Sequence, residues 1–346
     1  MDRENEIPIL NIYYLLIYAW NCLEESEIVS VSSLNPTSLV DLFGHVLAKG
    51  ISHLLKQGLD RGYVTIEEET SSPRGRINID GTITRLLHKQ AKLQTRYDVL
   101  SYDVLHNQIL KATVSQLVKS GSLSKEPHDA LSSHLRRLGE VSTISVTSSH
   151  FRRLQLHSNR HFYAFLMRIC ELIHENLLIG ENAGESKFRN FVRDERKMRR
   201  LFEAFVLNFY DREQKQYKVK REVLKWSFAS CNDESNHLLP WMRTDTSLTS
   251  ETPPRKIIIE TKFLPKALVH HHGKELLRSA HLYQLYAYLQ HSDHQSQRLE
   301  GILLYPTVNK PISSDYSGDG ITLKVRTINL ANDWRTIKAD LLTMIE

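Results

Sequence analysis

The chain has 346 residues, 41% of them hydrophobic, with 45 lysines and arginines against 40 aspartates and glutamates, a formal charge of +5. That length exceeds one core of ordinary size, so two domains are expected, and apolar residues are ample for both. Cysteines stand only at 22, 170 and 231, which excludes a disulfide framework and a zinc site and points to a reducing cytoplasm.

The opening Met-Asp-Arg-Glu-Asn-Glu is acidic, unlike a secretory leader. Ile7 to Leu23 is apolar but broken by Asn11 and Asn21 and shorter than a membrane span of about 20 residues, so a buried helix in the N-terminal domain is expected. Thr37 to Gly58 forms a second helical stripe through Leu39, Leu42, Phe43, Val46, Leu47, Ile51, Leu54 and Leu55. Tyr63 to Glu67, Arg76 to Ile79 and Leu93 to Leu100 read as strands around the turn Ser71-Ser-Pro-Arg-Gly75. Helices follow over 104–119, 128–138 and 160–179, and Gly180 to Glu185 is the expected interdomain loop. The boundary falls there, giving domains 1–185 and 186–346.

Beyond it, Arg199 to Tyr210 carries apolar residues at 201, 202, 205, 206 and 209, a helical face that includes Glu203. The segment Met242-Arg-Thr-Asp245 precedes the run Lys256-Ile-Ile-Ile-Glu260, which ends in Glu260-Thr-Lys262. Three consecutive β-branched residues read as a strand buried on both faces. Glu260 and Lys262, two apart, then share a face near its end, and a preceding strand brings Asp245 beside them. Two carboxylates suit a hard cation such as Mg²⁺, and a lysine beside them holds water or balances a phosphate's charge. The spacing resembles that of PD-(D/E)xK nucleases. So short a pattern also describes a solvated strand edge, and its surroundings favour the nuclease. A helix over 276–289 places Gln284 and Tyr288 on one face, followed by a strand at 301–305. The order helix, strands, Asp strand, Glu-x-Lys strand, helix, strand is αβββαβ.

Several features stay open at this level. Lys187 to Arg200 and Lys215 to Lys225 are strongly basic, either a phosphate-holding face or a solvated one. Glu203 is either a helper carboxylate or an ordinary polar helix position. Arg74 and Arg76 either contact DNA or a partner, or merely bracket a turn. His270-His-His272 is read as a solvated loop, because three adjacent histidines cannot converge on one metal from a regular element. No Gly-x-x-x-x-Gly-Lys-Ser/Thr loop occurs in the chain, so any nucleotide-driven work belongs to a partner.

One resemblance spans nearly the whole chain. Ile7 to Trp20, Pro73-Arg-Gly-Arg-Ile77, Tyr97 to Asp103 with Asn107 to Lys111, Leu238-Leu-Pro240 before Asp245, Glu260-Thr-Lys262, Tyr283-Gln284 and Leu304-Tyr-Pro306 resemble, in this order, the McrC family. That is the nuclease subunit of the McrBC modification-dependent, 5-methylcytosine-specific restriction system. The resemblance implies an α/β chain: an α+β N-terminal domain that docks on and stimulates an McrB-like AAA+ GTPase hexamer, then a restriction-endonuclease-like domain that cuts methylated double-stranded DNA. It further implies that Asp245, Glu260 and the Thr261 carbonyl hold Mg²⁺, with Mn²⁺ able to replace it, that Lys262 orients the nucleophile, and that Gln284 and Tyr288 support the site. A non-catalytic GTPase activator and a stand-alone RecB-like repair nuclease compete with this reading. The intact Asp245, Glu260 and Lys262 weigh against the first, and the N-terminal resemblance against the second.

Overall fold

The computed structural model describes residues 7–31, 34, 36, 38–157, 159–179, 186–188, 194–226, 238–264, 267–271, 274–292, 298–307 and 311–346. It divides into two compact units, residues 24–189 and residues 1–23 with 190–346. The expected split of 1–185 and 186–346 therefore differs from the structure at the N-terminus. Helix α1 (Ile9–Ala19) belongs with the second half of the chain.

Unit 24–189 contains α2 (Leu23–Ile28), α3 (Leu39–Gln57), β1 (Gly62–Thr70), β2 (Arg76–Asn78), α4 (Ile79–Thr84), β3 (Leu93–Ser101), α5 (Leu105–Lys119), α6 (Lys125–Arg137), α7 (Ser148–Arg153), α8 (His161–Asn176), β4 (Leu177–Ile179) and β5 (Ser186–Phe188). The apolar stripe of α3 is buried with those of α5 and α8, through Phe43, Val46, Ile109, Leu110, Phe165 and Ile169. Helix α6 starts earlier than the expected 128, with Pro127 inside its first turn, where a missing N–H costs nothing because that donor has no intrahelical partner. Helix α8 stops at Asn176, and 177–179 form β4 instead of a last helical turn. Strands β1, β3 and β2 pair antiparallel in that spatial order. Tyr63, Ile66, Ile77 and Leu100 on this sheet, and Ile79 and Ile83 on α4, are exposed. The expected interdomain loop, 180–185, lies outside the described residues.

The other unit continues with α9 (Glu195–Glu213), β6 (Lys218–Lys220), β7 (Val223–Leu224), β8 (Met242–Arg243), β9 (Thr246–Glu251), β10 (Pro254–Thr261), β11 (Leu268–His271), β12 (Lys274–Leu277), α10 (Ser279–Gln290), β13 (Arg298–Thr307), β14 (Ser313–Gly318), β15 (Ile321–Asn329) and α11 (Trp334–Thr343). Asp194 caps α9 by accepting from the backbone N–H groups of Arg196 and Lys197 at 3.0 and 3.2 Å. The buried stripe of α9 meets α1, whose Tyr18 ring lies 5.8 Å from Phe205 and 5.5 Å from Phe209. Asn11, the polar break in the first apolar run, donates to the carbonyls of Leu330 and Asn332, both at 2.8 Å. Periodicity shows that α1 has a buried face but not what covers it, which is why its partner escaped sequence reasoning.

A mixed six-stranded sheet runs β14-β15-β13-β10-β9-β6. The pairs β10–β13 and β13–β15 are parallel and the rest antiparallel. This is the α/β architecture expected, with β14, β15 and α11 added. Helix α10 begins at Ser279, not 276, because Leu276 and Leu277 pair in the hairpin β11–β12. That hairpin also contains His270 and His271, in a strand where a loop was expected, while His272 is outside the described residues. Gly301 lets α10 lie close on β13: a Cβ there would come within 2.7 Å of a Leu289 methyl carbon.

At the end of the sheet opposite Glu260, the fully buried Glu300 receives Arg255 Nε at 2.7 Å and Nη2 at 3.1 Å, Lys324 Nζ at 2.8 Å and Arg298 Nε at 2.9 Å. Burial alone would raise this carboxyl, but the bonds and charges of Arg255 and Lys324 hold it down at about 2. Because an unfolded glutamate titrates near about 4.3, this stabilisation is full above that pH and is lost as pH falls through about 2. Glu300→Gln should cost about 3–5 kcal/mol at pH 7 by stranding buried cations. Urea unfolding should show the deficit narrowing as the pH is lowered from about 4.3; a deficit independent of pH would contradict the ion network.

Candidate active site

The site forms where β9 stops short of its neighbour. The antiparallel ladder between β9 and β10 ends at Thr246↔Ile259, so Thr261, two residues on, has no strand partner on that edge. Asp245, immediately before β9, fills the place: its Oδ2 accepts from Thr261 N at 2.9 Å and Thr261 Oγ1 at 2.7 Å. On the opposite edge, Lys262 N donates to Leu304 O of β13 at 2.9 Å. N–H and C=O of one strand residue point to the same edge, so the Thr261 carbonyl emerges on the Asp245 side. Asp245 thus sits in a turn before a strand, rather than on the expected strand, and lies beside the Glu-x-Lys segment as anticipated.

Glu260 is almost completely buried. Its Oε1 accepts from Lys262 Nζ at 2.5 Å, and Lys262 Nζ also donates to Gln284 Oε1 at 2.8 Å. Gln284 Nε2 donates in turn to Tyr288 Oη at 2.9 Å. The ammonium is therefore held from two sides, and the i, i+4 pair on α10 fixes the second. Glu260 Oε2 is buried with no hydrogen-bond partner among the described residues. Burial, then the neighbouring Asp245 charge, push the Glu260 carboxyl up to about 7 despite the Lys262 ammonium. A carboxylate in this position calls for a further positive charge.

Glu203, on α9, joins this group electrostatically. Burial and then Asp245 raise its carboxyl, while Arg221, Arg243 and Lys262 oppose the rise. Its direct partner is Arg221 Nη2 at 2.8 Å. Sequence reasoning missed Arg221, Arg243 and His281. The last was legible: 281, 284 and 288 lie on one face of a helix, and His281 Nδ1 sits 2.9 Å from Tyr305 Oη. Burial, with the charges of Lys262, Arg278 and Arg199, pushes its imidazole down to about 4, so it is neutral at pH 7. Arg74 and Arg76 are exposed around the turn at Gly75, in the unit that does not contain these residues.

The donors fit a hard divalent cation. The orphaned Glu260 Oε2, the Asp245 carboxylate and the Thr261 carbonyl are all oxygens, the set Mg²⁺ prefers, with water completing the shell. Among the described residues no three His, Cys, Asp or Glu side chains close into a metal cage.

With this geometry in view, the chain was compared with known proteins. A family model described as "McrBC 5-methylcytosine restriction system component" matches residues 11–306. The chain belongs to the McrC family. It is 32% identical over 341 residues, 98% of this chain and 97% of the relative, to the "Type IV methyl-directed restriction enzyme EcoKMcrBC" of Escherichia coli strain K12. Among solved structures it is similar to the "half-complex from tetradecameric assembly of Thermococcus gammatolerans McrB AAA+ hexamers with bound McrC". There the TM-score is 0.58 at 16% identity, covering 98% of this chain and 76% of that one. At that identity the likeness shows the fold, and it extends over both units of this McrC-family chain. No helix among the described residues is long and apolar enough to cross a membrane.

A cation bound between Asp245 and Glu260 should stabilise the folded chain. At about 100 times its dissociation constant, Mn²⁺ should add roughly 2.7 kcal/mol, visible as a rise in Tm. The rise should vanish in Asp245→Ala and Glu260→Gln. An equal rise in those variants would place the metal elsewhere.

Proposed function

We propose that this McrC-family chain is the DNA-cutting subunit of a modification-dependent restriction complex, hydrolysing phosphodiester bonds at a PD-(D/E)xK-type centre. The observation that carries the reading is the convergence of Asp245, Glu260 and Lys262, with one oxygen of buried Glu260 left without a partner. Asp245 and Glu260, with the Thr261 carbonyl, would hold Mg²⁺, or Mn²⁺ in its place. The ion would act as a Lewis acid on water and offset charge on the phosphoryl oxygens. Lys262, gripped by Glu260 and Gln284, orients the attacking water and sets a positive charge beside the phosphate. Tyr288 supports Lys262 through Gln284. Glu203, tied to Arg221, shapes the charge around Asp245.

The chain's share in a larger machine is read from its other unit. The T. gammatolerans McrC is bound to McrB AAA+ hexamers. Residues 24–189 here expose Tyr63, Ile79, Ile83 and Leu100, apolar surface suited to docking on a partner. This unit would engage an McrB-like GTPase, with methylated double-stranded DNA as the substrate delivered to the metal site.

Lys262→Ala should lower cleavage at least about 100-fold, and because it leaves buried Glu260 without its cation it should also lower Tm, so cleavage is compared well below the variant's melting range. Asp245→Ala should abolish cleavage while the variant still stimulates GTP turnover by the partner. Normal cutting by a well-folded Lys262→Ala chain would refute the site. Loss of GTPase stimulation in a folded Asp245→Ala chain would refute the separation of roles.

A further inference from the structure

Strands β7 and β8 form a short ribbon beside the sheet, with two residue pairs and one hydrogen-bonded step beyond them. Val223 pairs with Arg243 and Leu224 with Met242. Towards the active site, Thr244 N donates to Glu222 O and Glu222 N to Thr244 Oγ1, both at 2.9 Å. Away from it, Trp226 Nε1 donates to Pro240 O at 2.7 Å. Arg221 and Asp245 follow at the active-site end of the ribbon, and Lys225 and Trp241 at its other end, outside the paired residues.

Directly opposed residues on antiparallel strands share a face, and the face alternates along each strand. One face carries Leu224, Trp226 and Met242, and it packs against the core with Leu285, Tyr288 and Leu289. The other carries Val223 and Arg243, with Lys225 and Trp241 just past the strands. Lys225 and Arg243 are exposed, Val223 is 53% exposed and Trp241 is 83% exposed. Two exposed cations, Lys225 and Arg243, and an open indole thus lead outward from Asp245, while Arg221 is paired with Glu203.

Resting on the nuclease reading above, we infer that this outer face is a track for duplex DNA, with Lys225 and Arg243 on phosphates flanking the scissile one and the Trp241 indole against the adjoining sugars and base edges. Charge and continuity identify the occupant. The strip is cationic and begins at the residue that would hold the metal, so the polyanion engaged there must pass along it. Four residues from Asp245 to Trp241 span about 13 Å, roughly four base-pair rises of 3.4 Å. A two-stranded ribbon is also a shape that the major groove admits. Arg221 stays with Glu203, leaving Lys225 and Arg243 as the DNA-facing charges.

The test is binding of the full chain to a short fluorescein-labelled duplex without divalent metal, followed by anisotropy across a KCl series, with cleavage measured separately in Mg²⁺. Lys225→Gln and Arg243→Gln should each lower the slope of log K against log salt by about 0.9. Trp241→Ala should weaken binding about tenfold, roughly 1.4 kcal/mol, with the slope unchanged, as for loss of a large uncharged contact, and Trp241→Phe should restore most of it. In cleavage, these variants should raise KM more than they lower kcat. Wild-type slope and affinity in all of them, with normal cutting, would overturn the ribbon track and leave the nuclease reading standing. Unchanged DNA binding with lost GTPase stimulation would make the ribbon a protein-docking face and overturn the proposal too. A wild-type chain that neither binds nor cuts DNA would overturn both.

Discussion

Every charge on β10 must be paired, because the strand is buried along nearly its whole length. Ile257, Ile258 and Ile259 are inaccessible, and Arg255, Lys256, Glu260 and Thr261 nearly so. Water cannot solvate these groups, so each needs a partner built into the fold. Arg255 takes Glu300, and Lys256 takes Glu222 at 2.7 Å. Glu260 takes Lys262 and still keeps one oxygen unpaired. One end of the strand is electrostatically closed, and the other is left wanting a cation.

That asymmetry organises the unit. The closed end joins β10, β13 and β15 to the C-terminal carbonyls of Ile345 and Glu346 through Arg255. The open end depends on two departures from regular structure. The early stop of β9 frees Asp245 to cap Thr261. The missing side chain at Gly301 lets α10 approach closely enough for Gln284 to hold Lys262. Stability and chemistry thus sit at opposite ends of one strand, and polar groups that would be costly elsewhere are placed where a ligand satisfies them.

Much of this was legible in the sequence, for identifiable reasons. A triple β-branched run ending in Glu-x-Lys marks a buried strand with a polar end, and the spacing of Gln284 and Tyr288 marks a helix face, because both signals are local. The partner of α1 was not legible, since its apolar residues are equally suited to any apolar neighbour. Nor was the β7–β8 register, which rests on backbone pairing between distant segments and not on composition. The β11–β12 hairpin was hidden for a further reason: Leu276 and Leu277 fit the helical spacing of the residues that follow them.

The orphaned oxygen of Glu260, beside the Asp245 carboxylate, is a specific mark of a ligand among the described residues. Anomalous diffraction from Mn²⁺-soaked crystals tests it directly. The account expects a peak bounded by Glu260 Oε2, the Asp245 carboxylate and the Thr261 carbonyl. A fully occupied peak elsewhere, with none at these three oxygens, would contradict it.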